Sequence, residues 1–167
     1  GEAAMHELSD ADKILYFQRS YVAADGLWFM KVEDAYGFDS ALDRDCEVWE
    51  VMPKIQARAL KSMIGVERGL DALRRCLSAK FRAEGFQFET TDLGNGGFSF
   101  TISVCPWYDT LVKAGRTQLA AKVGKRICQT EYTVWANEFG ESIRFEMNDR
   151  LCNGEQCCAI GFREEKH

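Results

Sequence analysis

Seven cysteines are the residues best able to do chemistry in this sequence: Cys46, Cys76, Cys105, Cys128, Cys152, Cys157 and Cys158. An odd number cannot all pair in disulfides within one chain. The first residues, Gly1 to His6, show neither the basic start nor the apolar stretch of a secretory leader. The cysteines are therefore expected as thiols in a reducing, cytoplasmic setting, where they serve as metal ligands, as nucleophiles or as small core residues.

No Cys-x-x-Cys pair occurs, so the spacing is not that of a zinc finger. Four of the seven instead fall at predicted element ends or turns: Cys105 after a strand, and Cys152, Cys157 and Cys158 around a hairpin. Cys128 lies within a predicted helix, in a stripe with Gly124, Glu131 and Trp135. The glycine one turn before the thiol leaves room for a ligand, and Glu131 brings a carboxylate beside it. Two metal ligands, or a thiol with a proton carrier, are the chemistries such a pair allows; a small buried cysteine with a glutamate at the rim is the plain alternative. Cys46 and Cys76 stand among apolar helical neighbours and read as core residues. Histidine occurs only at positions 6 and 167, so Ser–His and Cys–His catalysis is not expected.

The elements that must position these groups follow from periodicity. Ser9 and Asp12 form a capping pattern before a helix whose apolar residues Ile14, Phe17, Tyr21, Ala24, Trp28, Val32 and Ala35 recur at spacings of three and four. Gly26 is a weak point in that helix, beside Asp25, which a close helix crossing, a ligand or simple packing would explain. Gly37 closes the helix. A second runs from Asp39 past Pro53 to Met63 and should kink or split at the proline. A third carries Leu70, Leu73, Leu77 and Phe81 and stops at Gly85.

The period then falls to two. Phe86, Phe88 and Thr90 alternate, Gly94-Asn95-Gly96-Gly97 turns the chain, and Phe98, Phe100, Ile102 and Val104 alternate back. Helical stretches follow from Pro106 to Ala114 and from Thr117 to Phe139. A second hairpin has Ile143, Phe145, Met147 and Leu151 on one arm, a turn at Asn153-Gly154, and Cys158, Ile160 and Phe162 on the other. The expected fold is α+β: N-terminal helices on a four-stranded antiparallel sheet made of two hairpins separated by helices. Residues 1–84 form the helical segment and residues 85–167 the cysteine-bearing α+β region, within one compact domain. Cys158 shares parity with Ile160 and Phe162 and should face the helices, with Cys157 outward. Cys105 and Cys152 are out of parity with their strands, and Pro106 is expected to redirect Cys105.

The chain has 167 residues and a net charge of −5, with no basic stripe to neutralise phosphates, so nucleic acid is not an expected partner. The densest basic run, residues 122–126, reads as a solvated helix face. No run of apolar residues is long enough to span a membrane. A small-molecule ligand or substrate is the expected partner, and a homodimer is compatible with the sequence.

Four segments have a familiar look together: Cys105-Pro106-Trp107, Ile127-Cys128-Gln129-Thr130-Glu131, Arg150-Leu151-Cys152-Asn153-Gly154 and Cys158-Ala159-Ile160. Over roughly residues 85–163 they resemble the L-2-amino-thiazoline-4-carboxylic acid hydrolase family and the related 4-vinyl-reductase-type domains. Glu131 stands where that pattern has aspartate, and Ile160 where it has phenylalanine. The resemblance implies a functional cluster of Cys105, Cys128, Glu131 and Cys158, with Gly154 as the hairpin glycine.

Two functions follow as expectations. One is a hydrolase of a small C–N- or C–S-bonded substrate. It would use zinc on Cys105, Cys128 and Cys158 with Glu131 as base, or a Cys128 thiolate with Glu131 moving the proton and Arg126 or Arg150 as the positive neighbour. The other is a binding or sensing module whose Cys105, Cys128, Cys158 and Cys152 hold a structural zinc or an iron–sulfur cluster, beside a pocket lined by Trp107, Trp135 and Phe100.

Overall fold

Ser9 accepts the Asp12 backbone N–H at 3.1 Å while the Asp12 carboxylate returns a bond to the Ser9 backbone, and this reciprocal cap opens the first helix, α1 (Asp10–Tyr36). The structure, a computed structural model, describes residues 7–165 apart from the side chains of Asp149 and Cys152. His6 and His167 lie outside the described residues. Gly37, at φ 86, ends α1, and α2 (Phe38–Trp49) follows at once. Proline has no N–H to donate and its ring clashes with the carbonyl four residues back, so the helix expected through Pro53 divides there into α2 and α3 (Met52–Ile64). Helix α4 (Leu70–Glu84) stops at Gly85, whose φ of 85 suits a residue without a Cβ.

Strands β1 (Gln87–Gly94) and β2 (Gly97–Val104) form the first hairpin, with Gly94, Asn95 and Gly96 all at positive φ in its turn. Helices α5 (Pro106–Lys113) and α6 (Thr117–Phe139) precede β3 (Ile143–Asp149) and β4 (Cys158–Glu164). The sheet is antiparallel in the order β1-β2-β4-β3, so the last strand fills the gap between the hairpins. Its register sets Ile160 opposite Phe100 and Cys158 opposite Ile102. The fold is α+β, with N-terminal helices and a four-stranded antiparallel sheet built from two hairpins.

One core runs through Leu73, Leu77 and Phe81 of α4, Trp135 and Phe139 of α6, and Phe98, Phe100, Ile160 and Phe162 of the sheet. Phe81 is its hub, meeting the rings of Phe86, Phe88, Phe100 and Tyr132 at centroid separations between 4.9 and 6.1 Å. A second cluster, Leu42, Cys46, Trp49 and Ile127, joins α2 to α6. No helix of the described residues is long and apolar enough to cross a membrane.

Two expectations are corrected. The sequence pattern places Ile14, Phe17 and Trp28 on the packed face of α1, yet Phe17 is 68% and Trp28 69% exposed, and none of the helix's 27 residues is buried. The half-buried stripe is rotated by about one position, to Gln18, Tyr21, Asp25, Phe29 and Glu33. Polar contacts set that rotation: Gln18 Nε2 donates to the Ala83 carbonyl at 2.6 Å, and Arg116 pairs with Glu33 at 2.7 Å. Gly26 meets no atom within 4 Å of a built Cβ, so no close helix crossing explains it. Leu151, expected in a strand, starts a one-turn helix (Leu151–Asn153), because Gly154 at φ 88 closes a wider connection and Leu151 is buried beneath it.

Phe81→Ala should cost about 3–5 kcal/mol of folding stability, the range for removing a fully buried aromatic ring. Urea unfolding followed by tryptophan fluorescence measures it.

Candidate functional site

The end of β2 turns into α5 at Cys105, where Pro106 supplies the first helical residue without needing a hydrogen-bond partner. That turn swings Cys105 out of strand parity and onto the wall of a partly open pocket of about 100 Å³. Cys128 and Glu131 of α6 reach the same cavity, as does Cys158 at the start of β4. Gly124, one turn before Cys128, also lines it. A strand end, a mid-helix turn and the last hairpin therefore bring three thiols and the Glu131 carboxylate to one pocket. Cys158 is held there by the Leu151 N–H, 3.2 Å from its sulfur. The side chain of Cys152 lies outside the described residues. Among those described, no three Cys, His, Asp or Glu groups are arranged to hold a metal ion.

Burial pushes the Cys105 thiol up to about 12, with Cys158 and Glu131 adding to the rise and the Tyr108 and Trp107 amides opposing it. It stays protonated at neutral pH. Glu131 is 6% exposed, and burial raises its pKa more than Lys80 lowers it. Lys80, 3% exposed, sets its ammonium 2.8 Å from Glu131 Oε1 and 2.8 Å from Glu84 Oε2. The contact favours the charged form of Lys80 and opposes the rise that burial imposes on Glu131. Burial alone would lower the Lys80 pKa; the two carboxylates outweigh it and hold it charged, and the Phe81 and Phe86 rings lie 5.5 Å from the ammonium.

Two further acids line the cavity, Asp25 from α1 and Asp45 from α2. Burial raises Asp25 to about 6. It raises Asp45 to about 7, helped by the Asp25 charge and opposed by a hydrogen bond from the Trp49 indole.

The positive neighbour of the site is Lys80. Arg126, considered from sequence, pairs with Asp43 at 2.7 Å on the surface, and Arg150 donates to Met147 Sδ. Trp107 lines the cavity as expected, but Trp135 and Phe100 are fully buried in the core away from it. Cys46 and Cys76 are core residues. Lys80, Glu84 and Asp45 were not singled out from sequence. The signal for the first two was present: Lys80 falls on the apolar stripe of Leu73, Cys76 and Leu77, and Glu84 stands four residues further along.

An α+β protein with a pocket lined by thiols and by one buried and two half-buried acids is what fold and site together define. The chain belongs to DUF6125, a family of unknown function whose model matches residues 6–156. No curated protein and no solved structure matches it.

Two outcomes follow for stability. Lys80→Met strands the buried Glu131 and the half-buried Glu84 carboxylates and should cost about 3–5 kcal/mol, and adding Glu131→Gln should recover much of it; a double-mutant cycle in urea measures both. Asp25 and Asp45 bind protons more tightly folded than unfolded, so their contribution to stability falls as pH rises from about 4, the unfolded value, to about 7. Asp45→Asn should flatten that fall and raise the melting temperature at pH 8, read by thermal denaturation across pH.

Proposed function

We propose that the chain is a hydrolase of a small substrate bearing a C–N or C–S bond at an electrophilic carbon, as in an amino-thiazoline ring. The observation that carries this reading is Cys128 and Glu131 one turn apart on α6, facing one small cavity with the carboxylate anchored by Lys80. A buried glutamate whose pKa is raised by burial is suited to accepting and returning a proton.

Glu131 accepts the Cys128 thiol proton as the sulfur bonds to the substrate carbon. The C–N or C–S bond then breaks, and the departing nitrogen or sulfur takes the proton from Glu131. Water attacks the thio-intermediate, giving a proton to Glu131. The carbon–sulfur bond breaks last, and Cys128 recovers its proton, so the sum is addition of water across one bond. Cys105, kept protonated, serves as a neutral donor on the cavity wall.

A second reading, favoured by the convergence of Cys105, Cys128 and Cys158, is a zinc or iron–sulfur centre on those thiols, with Cys152 as a fourth ligand in a structural site. It requires the thiols to close around one ion, and among the described residues no three ligating groups are arranged to do so, so the metal-free reading asks less of the protein.

Ring opening of 2-amino-thiazoline and its 4-carboxylate, followed as released thiol or ammonia, tests the proposal. Cys128→Ser and Glu131→Gln should each lower turnover by about 100-fold or more. Intact-mass analysis should find the substrate carbon on Cys128. No turnover by the unaltered protein, or full turnover by Cys128→Ser, would sink it. One zinc or iron centre per chain in anaerobically purified protein, lost in Cys128→Ser, would instead favour the metal reading.

A further inference from the structure

Helix α1 packs on the rest of the chain through Gln18, Tyr21, Asp25, Phe29 and Glu33, and its apolar row is left in water. That row, Ile14, Phe17, Tyr21, Ala24, Trp28, Lys31 and Ala35, keeps spacings of three and four without a break. Seven residues per two turns is the repeat of a helix-pairing seam, and Lys31 is its polar member. Apart from half-buried Tyr21, every residue of the row is exposed, and none of the helix's 27 residues is buried. Helices in proteins owe most of their stability to packing an apolar face, and a seam this long in water marks an interaction surface.

The two ends of α1 differ in a reciprocal way. Its first turns expose Ile14, Leu15, Tyr16 and Phe17 around the helix, as suits a segment that packs inside something. Its second half walls an open groove of about 840 Å³, where Trp28, Val32 and Tyr36 stand with Val48 of α2 and Met52 and Ile55 of α3. Arg44 and Glu47, the charged residues of the groove, pair with each other at 2.7 Å. An apolar end and an apolar groove on one helix are complementary halves, which two copies related by a twofold axis satisfy at once. Ile14, Phe17, Leu27, Trp28, Tyr36 and Ile55 are each more than half exposed. With the remaining groove wall they offer roughly 800 Å² per copy, the share each partner gives to a standard interface of about 1,600 Å².

We infer that a second copy of this chain covers the groove, with the two α1 helices antiparallel and the first turns of each seated in the groove of the other. In that register Phe17 of one copy lies opposite Trp28 of the other, Ile14 opposite Lys31, and Tyr21 opposite Ala24. Charge agrees with it. Lys13 falls beside Asp34 of the other copy at the solvent edge of the seam, and Asp10, one turn before Ile14, comes within reach of Lys31. Within one chain these four residues form the exposed pairs Lys13–Asp10 at 3.0 Å and Lys31–Asp34 at 3.3 Å, so association exchanges partners and strands no charge. A parallel pair in register would set Lys31 against Lys31 and leave the groove unfilled. The inference is independent of the hydrolase reading, because the groove shares no residue with the pocket of the three thiols.

Sedimentation equilibrium of the full chain in reducing buffer, over a concentration series, tests it. The mass should reach twice that of one chain by about 100 μM. Phe17→Glu and Trp28→Glu, both at exposed positions, should each weaken the dimer at least about thirtyfold, as loss of an interface hot spot does, with circular dichroism unchanged. Lys13→Asp should weaken it at least about fivefold, and Lys13→Asp with Asp34→Lys should restore it, a rescue that the parallel pair would not show. A monomer up to about 1 mM, a dimer unmoved by either glutamate, or a charge reversal without rescue would overturn the inference. A monomer that instead floats with phosphatidylcholine vesicles, and loses them in Trp28→Glu, would overturn it in favour of a lipid surface. The concentration series on the unaltered chain needs no variant, so a variant that fails to fold does not blunt the test.

Discussion

A lysine ammonium enclosed between two glutamates governs much of this structure. Removed from water alone, the Lys80 charge would cost several kcal/mol; flanked at 2.8 Å by Glu131 and Glu84, it is retained. Because Lys80 and Glu84 belong to α4 and Glu131 to α6, the pair fixes how these helices lie against each other. They are the same helices whose apolar faces cover the sheet. The ion contact also determines which way the Glu131 carboxylate faces. The constraint that orients the scaffold thus also orients the group on which the proposed chemistry depends.

Helix α1 closes the other side of the cavity, and it does so with polar positions. Gln18 anchors it to the end of α4, Glu33 anchors it to Arg116 before α6, and Tyr21 meets the Trp107 ring edge-on at 5.1 Å. The cost of this arrangement is an exposed apolar stripe. Its result is that Asp25 lines the same pocket as Asp45 and the three thiols. The helix rotation and the composition of the cavity are therefore one fact.

Element order was legible in the sequence because its punctuation is local. Pro53 removes a donor, Gly37 and Gly85 adopt positive φ, and the switch from a period of three and four to a period of two at Phe86 marks the sheet. That Cys105, Cys128, Glu131 and Cys158 line one pocket was less legible, since their spacing alone is a weak signal and the grouping was what the family resemblance implied. The rotation of α1 was not legible, because two stripes on that helix are plausible and the choice rests on long-range bonds to Ala83 and Arg116. Lys80 was missed because a charged residue on an apolar face is ordinarily read as an interruption, and its partner lies on another helix. Leu151 was misplaced because alternation continued past the true end of the strand, where Gly154 had already redirected the chain.

The turn from β2 into α5 has a consequence for how the molecule ages. Peroxide and electrophiles attack thiolates, and the sulfur that begins α5 holds its proton to about pH 12. Of the three thiols lining the pocket, this one is therefore the one that burial shields from oxidation at neutral pH.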